Sequence, residues 1–343
     1  PIPPVLLAAS PSTNASHVPN STDVRLTFST TMNVQSLTSA NIQITGSQTG
    51  RYSTSALIYN STTNAVRLLP SKDFKPGEII TVSVTTGVRS SESVSITRAT
   101  VRNFVVASGA ASGVFTGSTE VPVGSAPLHV AFGDVNGDGY LDLAAVNSIG
   151  NTVSIRLGDG AGNFSGNREI SVGVAPVSVT LGDVNRDGRL DIATTSYSTN
   201  TVSIRLGNGT GNFSGTTSVP VGSAPFWTTL GDVNGDGYPD IATANYSDST
   251  VSIRLGNGTG NFSGTISVPV GANPTSVVLG DINGDGSLDL ATANANSNTV
   301  SIRLGDGTGN FSGSTEIPVG LYPYHVDLGD INGDGHLDLA AVN

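Results

Sequence analysis

The chain has no cysteine, one methionine, one tryptophan and two lysines, Lys72 and Lys75. Lack of Cys excludes disulfides, thiol nucleophiles and thiolate-bound metals, and is silent on compartment. Charge is sparse: 12% of 343 residues, 15 basic against 26 acidic, for a formal net charge of −11. With no basic cluster, such a chain is a poor partner for nucleic acid. No apolar run approaches the ~20 residues of a membrane span. No secretory leader is visible, so a secreted protein would be present here in processed form. Apolar residues alternate with Ser and Thr and form no helical stripes, which excludes coiled coils and helical bundles and leaves an all-β protein. What the chain has in quantity is glycine, 43 residues. It also has length enough for two or three domains at ~100–200 residues each.

A GDVNGDG-like motif places its first Asp at 134, 183, 232, 281 and 330, a 49-residue step without insertion or deletion. One unit parses into four short β segments, VSVTLG, LDIATTSY, TVSIRLG and FSGTTSVPVG, separated by Gly and Asn clusters. In TVSIRLG, Val202, Ile204 and Leu206 share one face, and Ser203 and Arg205 the other. Four strands per repeat make a propeller blade, which cannot bury both faces without neighbours.

Residues 103–124 align without gaps with 152–173, and Asn343 corresponds to Asn147. The array therefore reads as a half-blade at 103–124, four repeats at 125–321 and a half-blade at 322–343. This gives a five-bladed β-propeller with one blade split between its ends. The halves can pair within one chain and close a ring. Alternatively, each can be completed by the next molecule, giving a head-to-tail homopolymer.

Each motif sets oxygen-bearing side chains at loop positions 1, 3, 5 and 9, with Gly at position 6 for the sharp bend. These are Asp134, Asn136, Asp138 and Asp142; Asp183, Asn185, Asp187 and Asp191; Asp232, Asn234, Asp236 and Asp240; Asp281, Asn283, Asp285 and Asp289; and Asp330, Asn332, Asp334 and Asp338. A fifth ligand is expected from the backbone carbonyl at position 7, held by Tyr140, Arg189, Tyr238, Ser287 and His336. An anionic all-oxygen set without His or Cys side-chain ligands favours Ca2+, about five ions in all, over Zn2+, copper or Mg2+. Asx-Gly loops also make good turns on their own; five copies of the same four oxygens weigh towards ligands. Fifteen of the 26 acidic residues lie in these loops, so the acidity is local and implies no cationic partner. Arg186 and Arg189 set the second loop apart by bringing positive charge near it.

EF-hand and dockerin loops begin similarly but carry an acid at position 12 and enter a helix. Here position 12 is Ala145, Thr194, Thr243, Thr292 or Ala341, and the following segments read as strands. The 49-residue period with Asp at position 9 resembles the FG-GAP/VCBS repeats of integrin-type β-propellers, over residues 103–343. That resemblance implies a loop joining the first two strands of each blade and binding Ca2+ through positions 1, 3, 5, 7 and 9.

Residues 1–102 lack the repeat. The segments VRLTFS, NIQITG, ALIYN, AVRLLP and IITVSVTTGV read as strands of an Ig-like β-sandwich. Through FSTTM, SLTSANI and PGE this region resembles bacterial Ig-like domains of secreted and surface proteins. ATVRNFVV reads equally well as the last sandwich strand or the first propeller strand.

No catalytic constellation emerges among His17, His129, His325, His336 and the remaining polar residues, and no enzyme is expected. The pairs Leu128-His129, Val177-Ser178, Phe226-Trp227, Thr275-Ser276 and Tyr324-His325 open the first strand near a blade rim. They read as drift at a tolerant surface position, or as a rim where Phe226 and Trp227 stack a sugar. Asn163, Asn212, Asn261 and Asn310 fit both a glycosylation sequon and a strand-four turn. Arg156, Arg205, Arg254 and Arg303 read as a solvated strand face. The function expected is an extracellular, calcium-stabilised structural or adhesive protein, secreted or surface-associated, with itself as a partner through the split blade. The alternative is a lectin or adhesin module binding surface glycans or proteins.

Overall fold

The computed structural model describes residues 3–108, 120–332 and 334–343, and among these there is no α-helix and one short 3-10 turn, Val34–Ser36. The N-terminal strands are β1 (Leu6–Ser10), β2 (Ala15–Val18), β3 (Val24–Phe28), β4 (Ile42–Gly46), β5 (Gly50–Tyr52), β6 (Thr54–Asn60), β7 (Ala65–Pro70), β8 (Ile79–Val84) and β9 (Thr100–Val106). They form two sheets, β1-β3-β7-β6 and β2-β9-β8-β4-β5. Alternation builds the core between them: Val24, Leu26 and Phe28 point inward from β3 and meet Ile42, Ile44, Leu68 and Ile80. Phe74 packs edge-on to Tyr52 and Phe104, at 5.0 and 5.6 Å between ring centres.

β9 pairs with β8 from Val84↔Thr100 to Ile79↔Val105. The sandwich thus runs to Val106, four residues past the expected boundary at 102. Residues 103–106, expected in a half-blade, are committed to it because the β8 edge takes their backbone groups. Of the rest of that half-blade, residues 109–119 lie outside the described residues. Its last residues sit where strand four of a preceding unit would. Arg156 Nε donates to Pro122 O at 2.7 Å and Gly124 N to Ser154 Oγ at 3.0 Å. The equivalent pairs join Arg205 to Ser171 O and Gly173 N to Ser203 Oγ in the next unit.

Four four-stranded antiparallel sheets follow. They are β10–β13 (Pro127–Gly133, Asp142–Asn147, Thr152–Gly158, Phe164–Ser171), β14–β17 (Pro176–Gly182, Asp191–Ser196, Thr201–Gly207, Phe213–Pro220), β18–β21 (Pro225–Gly231, Asp240–Asn245, Thr250–Gly256, Phe262–Pro269) and β22–β25 (Pro274–Gly280, Asp289–Asn294, Thr299–Gly305, Phe311–Pro318). β26 (His325–Gly329) and β27 (Asp338–Val342) form a two-stranded fifth sheet. First strands of successive units lie beside one another, and core clusters bridge neighbours, as Val146, Val153 and Ile155 do with Val179, Leu190 and Ile192. All six residues of each second strand in the first four units are buried. Sheets cover both faces, which is why the interiors of these strands are runs of Ala and Thr, with one Val, each led by one Leu or Ile, with no exposed polar face.

The arginine row is not a solvated face. Arg156 and Arg303 are each 7% exposed. Arg156, Arg205, Arg254 and Arg303 each donate Nε to a carbonyl near the end of the preceding unit, that of Pro122, Ser171, Pro220 and Pro269, at 2.7–2.9 Å. They tie the units together. Glycine closes each third strand for a steric reason. A Cβ on Gly207 would lie 2.1 Å from the Leu190 carbonyl oxygen. Gly207→Ala is expected to cost about 1–3 kcal/mol in a urea-unfolding measurement, because backbone has to move.

Candidate metal centres and a shared aromatic cavity

Each loop leaves its first strand and returns into the second, so its position-9 Asp opens the second strand. Within the loop the side chains fold back onto backbone N–H groups. Asp183 Oδ1 and Oδ2 accept from Asp187 N and Gly188 N at 3.1 and 2.9 Å. Asn185 Oδ1 accepts from Asp187 N at 3.0 Å, and Asp187 Oδ1 from Arg189 N at 3.0 Å. The same bonds recur in the loops at 232 and 330.

Position 9 behaves differently. Asp191 is fully buried, and its oxygens accept from Val184 N at 2.9 Å and Gly207 N at 2.7 Å. Asp142, Asp240 and Asp289 do likewise with their own units. These residues clamp the loop to the end of the third strand, a role their spacing alone did not reveal. Among the described residues no three Asp, Glu, His or Cys side chains converge as a ready cation cage. The donor chemistry nonetheless fits a hard dication at positions 1, 3 and 5, and Asp281 Oδ1 is buried with no hydrogen-bond partner. Burial, then facing carboxylates, push the Asp240 carboxyl up to about 8; burial leads for Asp191 and Asp232 too, each raised to about 7. Crowded, desolvated carboxylates of this kind gain most from a bound cation.

Sequence reasoning missed that the sandwich docks on the loops. Lys75 Nζ reaches Asp134 Oδ2 at 3.0 Å, and Arg102 Nη1 reaches Asp281 Oδ2 at 3.0 Å. Arg98 reaches Asp285 at 3.3 Å and also bonds Ser287 Oγ, and Val101 N donates to Gly286 O at 2.8 Å. Arg186 of the second loop turns to the third, its guanidinium 4.8 Å from the Tyr238 ring centre. The signal available was only the placement of four of the chain's few cations, Lys75, Arg89, Arg98 and Arg102, in residues 75–102.

At the start of the first strands, one seven-residue strand (about 20 Å) from the loops, side chains of all five units line one cavity of about 520 Å3. Leu128, Val177, Phe226 and Thr275 contribute from the first strands and Tyr324 from the position just before β26, joined by Tyr197, Tyr246 and Tyr322. The expected blade-rim position is therefore a convergence point. Phe226 stands edge-on to Tyr324 at 5.6 Å and tilted to Tyr246 at 5.8 Å. Trp227 instead packs between His129 and His325, at 4.4 and 4.6 Å. Position 129 and its equivalents cap the next unit's inner-edge strand. His129 Nδ1, Ser178 Oγ and Ser276 Oγ accept from Val179 N, Thr228 N and Val326 N at 3.3, 3.1 and 2.9 Å. Burial first, and the neighbouring His325, hold the His129 imidazole down at about 4.

The FG-GAP-like repeat family matches residues 134–194, 184–243, 232–292 and 281–341, and a bacterial Ig-like domain matches residues 1–106. No curated protein matches the chain. Among solved structures it is similar to a putative 6-phosphogluconolactonase from Bacteroides uniformis, at 14% identity over 95% of this chain and 88% of that one, TM-score 0.47. An Agrocybe aegerita lectin described as recognising non-reducing terminal N-acetylglucosamine is similar at 19% identity over 91% and 87%, TM-score 0.44. A functionally unknown Desulfotomaculum acetoxidans protein is similar at 15% identity; 69% of this chain aligns with 66% of that one, TM-score 0.43.

Proposed function

The chain belongs to the FG-GAP-like repeat family and carries an N-terminal bacterial Ig-like domain; on that premise we propose that it is a calcium-binding, five-bladed propeller module with a structural or adhesive role outside the cell. The observation that carries the calcium reading is the set of buried, mutually repelling loop carboxylates. A bound dication would supply the positive charge that lets them ionise together. Positions 1, 3 and 5 of each loop would hold it, Asp134, Asn136 and Asp138 in the first loop and their equivalents in the others, with the position-7 carbonyl and the position-9 carboxylate, Asp191 and Asp240 among them, completing the set. Ring formation is supported by the cavity, because equivalent residues of five successive units face one another only if the units turn about a common axis. Affinities near ~0.1 mM fill such sites only where calcium is millimolar, which favours an extracellular setting.

Light-scattering mass after size exclusion, in about 2 mM Ca2+ and again in chelator, tests the reading. One compact chain in calcium that expands in chelator is the expected result. A mass ladder that dissolves in chelator would transfer the proposal to a head-to-tail polymer. No response to calcium in mass or shape would remove it.

Lys75 and Arg102 satisfy two loop carboxylates with the sandwich's own charge. These contacts weaken the loops at 134 and 281 for a cation, and Arg189, 3.5 Å from Asp187 Oδ2, acts the same way in the loop at 183. Lys75→Met is expected to tighten one site about fivefold, the equivalent of ~1 kcal/mol, in calorimetric titration. A Lys75→Met isotherm identical to that of the parent would refute the competition.

A further inference from the structure

We propose that the cavity shared by the five first strands binds a neutral pyranose unit of a glycan. This goes beyond the calcium reading and does not depend on it, since the cavity and the loops lie at opposite ends of those strands. Three observations carry it.

The first is chemical. No residue lining the cavity carries a charge, so phosphate, carboxylate and ammonium ligands meet no counter-ion there. The walls are aromatic faces edged by hydroxyls, from Tyr197, Tyr246, Tyr322, Tyr324 and Thr275. A pyranose has an apolar C–H face for the rings and hydroxyls for the phenols, and about 520 Å3 accommodates one or two such rings.

The second is geometric. The edge-on packing of Phe226 and Tyr324 and the tilt of Tyr246 against Phe226 make a walled corner. Tyr322 and Tyr324 remain 68% and 55% exposed, a large uncovered aromatic area for one spot.

The third comes from comparing the units. Of the 23 repeat positions present in all five, the one occupied by Leu128, Val177, Phe226, Thr275 and Tyr324 is the only one where no two units agree. Two residues earlier the backbone is left-handed in every unit, and Tyr322 sits there at φ 53° where three units carry Ala and one Asn. A bulky side chain is disfavoured in that region, so the aromatic is present despite the backbone. A constant frame thus carries its chemical variety at the cavity wall.

Trp227, the sole tryptophan, adjoins Phe226 in sequence and serves as an intrinsic fluorescent reporter. Calcium-saturated protein would be titrated with methyl glycosides of glucose, galactose, mannose and N-acetylglucosamine, with tetramethylammonium chloride as the charged control. The expected result is a saturable emission change for at least one glycoside, with Kd about 1–10 mM. Phe226→Ala and Tyr324→Ala should each weaken it about tenfold while leaving mass and circular dichroism unchanged. Tyr324 is exposed enough that its truncation tests the cavity even if Phe226→Ala fails to fold. Silence towards all four glycosides, binding unaffected by Tyr324→Ala, or a response to tetramethylammonium alone would overturn the proposal.

Discussion

Stripping calcium from the folded protein is expected to lower its unfolding free energy by about 4–7 kcal/mol. A site with Kd ~0.1 mM in ~1 mM Ca2+ contributes about 1.4 kcal/mol by linkage. Five full sites reach the upper figure. The lower one applies if Lys75 and Arg102 already neutralise two loops. Either is a large share of a typical ~5–15 kcal/mol domain stability.

The loss should depend on pH in a defined direction. Ordinary Asp ionises near 3.8, whereas the Asp191 and Asp232 carboxyls are raised to about 7 and the Asp240 carboxyl to about 8. Without calcium the folded state therefore binds more protons than the unfolded chain between pH about 4 and 8, and stability falls as pH rises through that window. His129, depressed to about 4 from 6.5, works in the opposite sense below pH 6.5, so the decline is steepest above it. A bound calcium ion would select the ionised carboxylates and should flatten the decline. Urea midpoints at pH 6 and 8, with calcium and with chelator, check both statements. Midpoints indifferent to chelator would mean that the loops are turns and nothing more.

Asp240→Ala is expected to cost about 2–6 kcal/mol even in chelator. Asp240 is fully buried and accepts from Val233 N at 2.9 Å and Gly256 N at 2.8 Å. Truncation leaves two buried N–H groups unpaired, at about 1–3 kcal/mol each. Asp236, exposed in the same loop, offers the contrast: Asp236→Ala should destabilise only when calcium is present. The pair of variants, unfolded in both buffers, separates clamp from ligand. An Asp240→Ala cost that vanishes in chelator would return position 9 to the ligand set alone.

The four-stranded units were legible because each strand alternates or is small-residue rich and ends at a Gly or Asn cluster. TVSIRLG is observed as Thr201–Gly207, and FSGTTSVP as Phe213–Pro220. The loop bounds followed from the Asx-Gly spacing for the same reason. The edge of the sandwich was not legible. NFVV alternates equally well for either domain, and the choice fell to pairing with β8. The arginine row looked solvated because a single strand does not show the sheet packed against it. Lys75 and Arg102 lie 59 and 179 residues from their carboxylates, beyond the reach of any local pattern. The cavity was half legible: the varying pairs were visible, but only the turning of the units shows that Phe226 faces its equivalents while Trp227 is packed away.

The recurrence of one strand sequence has a cost that appears only while the chain is being made. TVSIRLG is identical in four consecutive units, and its neighbours present nearly the same edge to it. A strand emerging during synthesis can pair with its own unit or, out of place, with the one before, at almost equal local energy. Mispairing between adjacent like units is a characteristic kinetic trap of tandem repeats. Discrimination falls to the few features that differ, such as Glu169 and Glu316, which bond Arg156 and Arg303 while the strands between them carry Ser at that position. The first and last of the four full units carry these distinguishing ion pairs, so the two middle units, with Ser218 and Ser267 at that position, are the pair most open to exchange.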